Sequence, residues 1–369
     1  MTQYRVVPYH SSMSHEIVRL WQESHASTDV SRRLSVFRWF TEQNPFLRGR
    51  SAYWCLHDGS RVVGMHGHMP VIFDVDGQER PGHLAQDDLL HPAARGKGLG
   101  QRLLDGVRDA EPHLAAVMWL NEANHSSYRK AGWTDVHGFR HYVRVLDPER
   151  LARAVSNATI ASLVRVGGSI ALRVIDLPGR MRRRGDVRLE PLERFDERFD
   201  ALWERARPHF GISVRRSAEY LNWRYVAMPT QDHQRLAAIT AAGEASGYVV
   251  WRPVPAGGRL VVRVLDMGWD PQEPGVLEAL LLAVVAAARG QRATQVVCAA
   301  AHPTLVHALR ALGFLPSRRE EPHMVSNWEG LLTREDVTDI RRWHLTLGDA
   351  DGDVWSDEAM ARDPTADKS

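Results

Sequence analysis

GHLAQDDLLHPAARGKGLGQRLLDG, residues 82–106, decides how the rest of the chain is read. Leu84 to Leu90 is a short apolar-leaning run between Gly82 and Pro92, the grammar of a strand. Leu99, Leu103, Leu104 and Val107 recur at three- and four-residue spacing, the core face of a helix. Between them lies Arg95-Gly96-Lys97-Gly98-Leu99-Gly100. A strand, a glycine-rich turn and a helix start leave unpaired N–H groups at the positive end of the helix dipole. Glycines let a ligand approach the backbone, and two basic side chains flank the turn. The physics predicts an anion site, for a phosphate or pyrophosphate. The turn is neither G-x-x-x-x-G-K-[ST] nor G-x-G-x-x-G, because from Gly98 the final glycine is replaced by Leu103.

Arg95-x-x-Gly98-x-Gly100, with Pro92 three residues before the arginine, resembles the acyl-CoA pyrophosphate loop of the GCN5-related N-acetyltransferase (GNAT) superfamily. A second stretch resembles the family's later motif. Asn121-Glu122-Ala123-Asn124-His125-Ser126-Ser127-Tyr128-Arg129-Lys130-Ala131-Gly132-Trp133 follows the apolar run Leu114–Leu120. It carries Asn-Glu, a tyrosine seven residues after the asparagine, then Lys-x-Gly-aromatic. The motif detail covers about 50 residues and the element order about residues 1–145.

Working outward, Tyr4–Pro8 reads as a strand, and Glu16–Ser24 and Ser31–Gln43 read as helices. Ala52–His57 and Arg61–Pro70 read as strands joined at Asp58-Gly59-Ser60, and Val71–Val75 and Gln78–Leu90 as strands joined at Asp76-Gly77. After the helix from Leu99 come the strand Leu114–Leu120, the helix Glu122–Lys130 and last strands within Trp133–Leu146. The resemblance implies an α/β (α+β) fold in which a mixed, mostly antiparallel sheet is flanked by helices.

The first grammar then recurs. Trp39 and Trp223, Pro45 and Pro229, Gly64 and Gly247, and Gly132 and Gly313 are offset by 184, 184, 183 and 181 residues. The expected organisation is a GNAT domain at 1–146, a helical linker at 147–186 and a degenerate GNAT-like domain at 187–328. A C-terminal extension at 329–369 ends in an acidic tail. The linker carries the arginine cluster Arg180, Arg182, Arg183 and Arg184, read as a solvated boundary. In the second copy Asp270-Pro271-Gln272-Glu273-Pro274-Gly275 replaces the basic turn, and Leu309 stands nearest the place of Tyr128. That copy is expected not to bind CoA. Asp349, Asp351 and Asp353 are spaced like cation ligands but lack the rest of an EF-hand loop, so they read as a ligand-free acidic tail.

The resemblance implies roles by matching position. Backbone N–H groups from Arg95 through Gly96, Lys97, Gly98 and Leu99 to Gly100 hold the pyrophosphate. The strand Gln86–Leu90, with Leu89 and Leu90, runs along the pantetheine arm and offers an oxyanion-type N–H. Tyr128 is the general acid to the departing sulfur. Asn121 contacts CoA or caps the helix that follows. Asp87 or Asp88 is the base or the counter-charge of the acceptor amine. Strand alternation turns only one of them to the cleft, and Asp88 is the preferred choice. His66 and His68 share a strand face, as a base or as a metal pair lacking a third ligand, so no metal is expected. His125 is a possible acceptor contact. Phe37, Trp39 and Phe40 are core or pocket.

Composition excludes other classes. The chain has 369 residues, 44% hydrophobic and 25% charged, with a net charge of +2, so no global field points to nucleic acid. Cys55 and Cys298 make no disulfide framework or metal spacing and read as buried thiols. No apolar h-region and no run of 18 apolar residues occur, so a cytoplasmic protein without membrane partners is expected. The function implied is transfer of acetyl from acetyl-CoA, the co-substrate, to a primary amine of a small molecule: an amino sugar, an amino acid derivative or a secondary metabolite. An aminoacyl or peptidyl transferase of the tandem cell-wall type, and a non-catalytic acyl-CoA sensor, are the rival readings. A monomer or a homodimer fits equally.

Overall fold

The computed structural model describes residues 3–25, 29–118, 120, 122–147 and 187–355. The expected linker helix, its arginine cluster, Asn121 and the last fourteen residues lie outside the described residues. The first half runs β1 (Arg5–Pro8), α1 (Ser14–Ser24), α2 (Val30–Glu42), β2 (Tyr53–His57), β3 (Val62–Val75), β4 (Gln78–Leu90), α3 (Leu99–Ala110), β5 (Leu114–Met118), α4 (Glu122–Lys130), β6 (Thr134–Val136) and β7 (Arg140–Val145). The second half runs β8 (Val187–Pro191), α5 (Glu197–Ala206), β9 (Ile212–Val214), α6 (Ala218–Tyr225), β10 (Gln234–Thr240), β11 (Ala245–Ala256), β12 (Arg259–Trp269), α7 (Val276–Gly290), β13 (Gln295–Ala300), α8 (Pro303–Ala311), β14 (Leu315–Glu320), β15 (His323–Ser326), α9 (Arg334–Thr338), β16 (Trp343–His344) and α10 (Gly352–Trp355).

Local chemistry sets the ends of these elements. Asp29 caps α2 by accepting from the Arg32 N–H at 3.0 Å, which satisfies one orphan donor. The β3–β4 hairpin turns on Asp76 and Gly77, at φ 50° and 84°, a left-handed pair whose twist suits the flanking strands. Leu99, Leu103, Leu104 and Val107 are buried as their spacing requires. One expectation fails: residues 62–75 form a single strand rather than two meeting at Pro70. The His68 N–H bonds Ala52 and the Ile72 carbonyl accepts from Arg215, so even-numbered residues face that edge. Pro70 lies between the last pairing with β2, at Gly67, and the first with β9, at Phe73. Its missing N–H therefore costs no ladder bond.

Two mixed sheets result. One has the order β1-β2-β3-β4-β5-β15-β6, with β9 joined to β3 and β16 to β9; the other runs β14-β7-β13-β12-β11-β10-β8. The halves thus trade strands reciprocally. β7 of the first half sits between β13 and β14, and β15 of the second between β5 and β6. Sheet membership therefore does not follow the boundary expected near residue 146. The repeat positions Trp39 and Trp223 stack at 4.4 Å and 15°. Each indole N–H donates to the other's carbonyl, at 3.1 and 3.3 Å. This reciprocity marks a pseudo-twofold axis, the geometry of an isologous dimer interface within one chain. Phe37, Trp39 and Phe40 are core side chains in a cluster that includes Tyr220, Trp223 and Tyr225 from the other half.

The acidic C-terminal run is not a solvated tail where it is described. Asp349 and Asp353 are buried, at 2% and 0% exposure. Asp349 accepts from Arg216 at 2.6 Å and Asp353 from Arg224 at 2.7 Å. Arg224 also donates to the carbonyls of Gly348 and Ala350. Gly348 is required by space: a Cβ there would lie 1.9 Å from the Tyr225 hydroxyl. This strap, residues 346–354, closes over β12 and ends beside the first sheet.

Candidate active site

β4 and β5 run parallel but pair only at Gly82–Leu114, His83–Ala115 and Leu84–Ala116. Beyond Leu84 both continue and part, opening a slot. Gly82 is needed at the join, because a Cβ would meet Phe73 at 2.3 Å and the Leu114 carbonyl at 2.6 Å. The slot widens into a cleft of about 1240 Å3, roomy for a drug-sized ligand. A second depression, about 120 Å3 beside Glu16 and Arg61, is far too small for a nucleotide.

The cleft's rim is the glycine turn. Gly96 and Gly98 have φ of 73° and 72°, left-handed conformations that glycine adopts freely. Gly98 is the N-cap of α3, whose first turn has no side-chain cap. A Cβ at either glycine would meet nothing within 4 Å, so the space above the turn is open to an anion. Arg95, Gly96, Gly98, Leu99 and Gly100 line the cleft, whereas Lys97 is exposed outside it. The His91 N–H bonds to the Val63 carbonyl in β3. By alternation the Leu89 N–H also faces β3, and the Leu90 N–H faces the open slot.

The floor is built by a β-bulge. Met65 pairs with Leu89 and Gly67 with Gln86, so Asp87 and Asp88 together oppose His66 alone. Asp87 takes φ 46°, an uncommon conformation for a residue other than glycine. The bulge cancels the alternation from which one inward carboxylate was expected, and both aspartates line the cleft. Asp88 accepts from the Tyr128 hydroxyl at 2.7 Å and contacts His66 Nδ1 at 2.6 Å. Asp87 accepts from Arg33 at 2.7 Å and Tyr53 at 3.4 Å. Its N–H donates to Asp351 at 3.1 Å. The strap thereby brings a third carboxylate to the same floor.

Burial raises the Tyr128 phenol well above its ordinary range, and Asp88 adds to the effect, so it remains a proton donor. Burial also pushes Asp87 up to about 6, against the pull of Arg33, and Asp351 up to about 7. Both carboxyls hold protons more tightly folded than unfolded. Their stabilising contribution is present at acid pH and lost as pH rises through about 6–7. Asp351→Asn is therefore expected to flatten stability against pH. At pH 8 it should raise the thermal midpoint by about 1–4 °C, with a smaller rise at pH 5 and little change at about pH 3.5; scanning calorimetry at the three values checks this.

The structure brings the expected residues Tyr128, Asp88, Asp87, Leu89, Leu90, Arg95, Gly96, Gly98, Leu99 and Gly100 together in one cleft. His125 instead contacts Asp135. Arg33 and Asp351 were missed. Arg33 had a signal: it precedes Phe37 and Phe40 by four and seven residues, on the same helical face. Asp351 had none, being 264 positions from Asp87. Cys55 and Cys298 are buried, and burial pushes both thiols up to about 12, leaving them inert. Among the described residues no helix is long and apolar enough to cross a membrane.

The acetyltransferase (GNAT) family model matches residues 13–133. No curated protein matches the chain in sequence. Among solved structures, the fold is similar to a probable N-acyltransferase of unknown function from Enterococcus faecalis V583, at 12% identity and TM-score 0.60, covering 88% of this chain and 72% of that one. It is similar also to a GCN5-related N-acetyltransferase from Anabaena variabilis, at 13% identity and TM-score 0.59, with coverage of 88% and 72%. Saccharomyces cerevisiae N-myristoyltransferase with bound myristoyl-CoA gives 13% identity and TM-score 0.56, with coverage of 93% and 84%. At such identities the likeness is one of fold.

Proposed function

From a chain whose residues 13–133 match the acetyltransferase (GNAT) family model we infer an acyl-CoA-dependent N-acyltransferase that moves acetyl to a primary amine of a small cationic molecule. One observation carries the reading. The Tyr128 hydroxyl, bonded to Asp88 at 2.7 Å, stands at the floor of the cleft whose rim is the Arg95–Gly100 turn. The open first turn of α3 suits a pyrophosphate, with Arg95 as an added cation. The Leu90 N–H, turned to the slot, suits a thioester carbonyl oxygen. Asp87, Asp88 and Asp351 suit an ammonium group, since three carboxylates so close are relieved by a cation.

Acetyl-CoA supplies an activated acyl group whose C–S bond breaks as the amine N–C bond forms. Asp88 takes a proton from the ammonium, freeing the nitrogen lone pair. Tyr128 protonates the leaving sulfur and recovers its proton from Asp88. The cytoplasm, where acyl-CoA is available, is the setting that goes with this chemistry.

Calorimetric titration with acetyl-CoA tests the reading, alongside the Gly98→Trp/Gly100→Trp variant and thiol release over a panel of amines. Micromolar binding by the parent and none by the variant is expected, since indoles would fill the space over the turn. A folded parent that binds neither acetyl-CoA nor a longer acyl-CoA overturns the assignment.

A further inference from the structure

Behind the cleft floor lies a file of buried polar side chains that the acyl-transfer scheme does not use. His66 and His68 alternate along one face of β3, and His83 follows from β4; their exposures are 1%, 0% and 0%. His66 Nδ1 contacts Asp88 Oδ1 at 2.6 Å, and His66 Nε2 contacts His68 Nδ1 at 3.2 Å. The rings of His68 and His83 touch, with centroids 3.3 Å apart. His83 Nε2 meets the carboxylate of Glu111, which ends α3. Glu111 is 13% exposed and so reaches solvent at the C-terminal end of α3. Burying three imidazoles in a small sheet core is costly unless they are partnered.

Resting on the acyltransferase reading, we propose that Asp88, His66, His68, His83 and Glu111 form a proton relay, carrying the surplus amine proton from the cleft to solvent at the C-terminal end of α3. Conversion of an ammonium to an amide removes two protons from nitrogen. One ends on sulfur through Tyr128, and one must leave. Asp88 receives both, while its open side faces the cleft that the acceptor itself fills. The second proton passes from the Asp88 carboxyl to His66 Nδ1, from His66 Nε2 to His68 Nδ1, from His68 Nε2 to His83 Nδ1, and from His83 Nε2 to Glu111. Each ring gains a proton on one nitrogen as it gives one from the other, so the imidazoles end neutral.

Three features favour a relay over a rigid polar core. The His66–His68 contact works with the N–H on either ring. His68 Nε2 and His83 Nδ1 each lack a hydrogen-bond partner among the described residues while their rings touch, so rotation of either ring forms the link that transfer requires. At His83 Nε2, Arg50 offers a donor and Glu111 an acceptor, so both tautomers of His83 are served. Burial, with the neighbouring imidazoles of the file and the Arg50 guanidinium, holds His68 and His83 well below the ordinary imidazole range. Transfer therefore proceeds through neutral tautomers. The donor atoms of His68, His83 and Glu111 lie within 4.8 Å of one another, and the Arg50 guanidinium already brings positive charge to that group.

Two variants interrupt the file at different depths: Glu111→Gln at the exit and His68→Phe in the interior. Both are expected to lose about tenfold or more in kcat, with unchanged affinity for acetyl-CoA and a larger solvent isotope effect. Imidazole buffer should restore Glu111→Gln, whose break is near solvent, and not His68→Phe. Parental kcat and isotope effect in both variants would overturn the relay. A readout independent of turnover is 15N spectroscopy of histidine-labelled protein. Glu111→Gln should shift the tautomer signals of His66, three links away, whereas an unchanged His66 overturns the relay. Coupled tautomers in a protein that releases no thiol with any amine would instead remove the acyltransferase reading.

Discussion

Tyr128→Phe is expected to lower kcat about 100-fold or more while the affinity for acetyl-CoA stays at the parental value. The phenol touches Asp88 and lies at the floor, away from the turn, so its loss removes a proton donor without touching the rim. Stopped-flow thiol release and calorimetry separate the two effects. Because burial and Asp88 keep the phenol protonated far above neutrality, no alkaline limb below pH 10 should come from Tyr128 in the parent. Equal loss of CoA affinity and rate would assign Tyr128 to the binding surface instead.

The largest loss of stability is expected from Arg224→Leu. Arg224 is 1% exposed and holds Asp353, itself fully buried, at 2.7 Å. Burial opposes ionisation of Asp353, but Arg224 and His233 hold it below the usual carboxylate range. Removing the guanidinium leaves a buried charge with one weak partner, a change that costs about 3–5 kcal/mol. Chemical denaturation measures it. Arg224→Leu/Asp353→Leu should recover most of the deficit, because two apolar side chains need no counter-charge. The single variant should also release the bonds to the Gly348 and Ala350 carbonyls. Asp351 would then be displaced, and kcat/KM for the acceptor should fall more than acetyl-CoA affinity.

The local elements and the glycine turn were legible because period and turn chemistry act over a few residues. Gly98 at the N-cap, the Asp76-Gly77 hairpin and the apolar face of α3 all stand where spacing puts them. The recurrence of Trp39 as Trp223 announced a duplication, and the stacked pair lies at its axis. What sequence could not carry was pairing across distance. Strand exchange joins β7 to β13 and β5 to β15 over separations of about 150 to 210 residues, and nothing in either strand names its partner. The bulge at Asp87 was hidden for another reason: alternation is a rule for regular strands, and one extra residue brings both carboxylates to the same cleft.

The exchange of β7 and β15 also dictates a timetable for biosynthesis. While the first half emerges from the ribosome, β5 has an open edge and β6 lacks its neighbour, because among the described strands β6 joins the sheet through β15 alone. The nascent chain must carry that unsatisfied edge until residues 323–326 have been translated, a long exposure for a strand that invites wrong partners. Asp351 follows later still. The cleft proposed for acyl transfer is thus incomplete until nearly the whole described chain has been made, and a prematurely terminated product would expose an unpaired strand edge rather than a finished site.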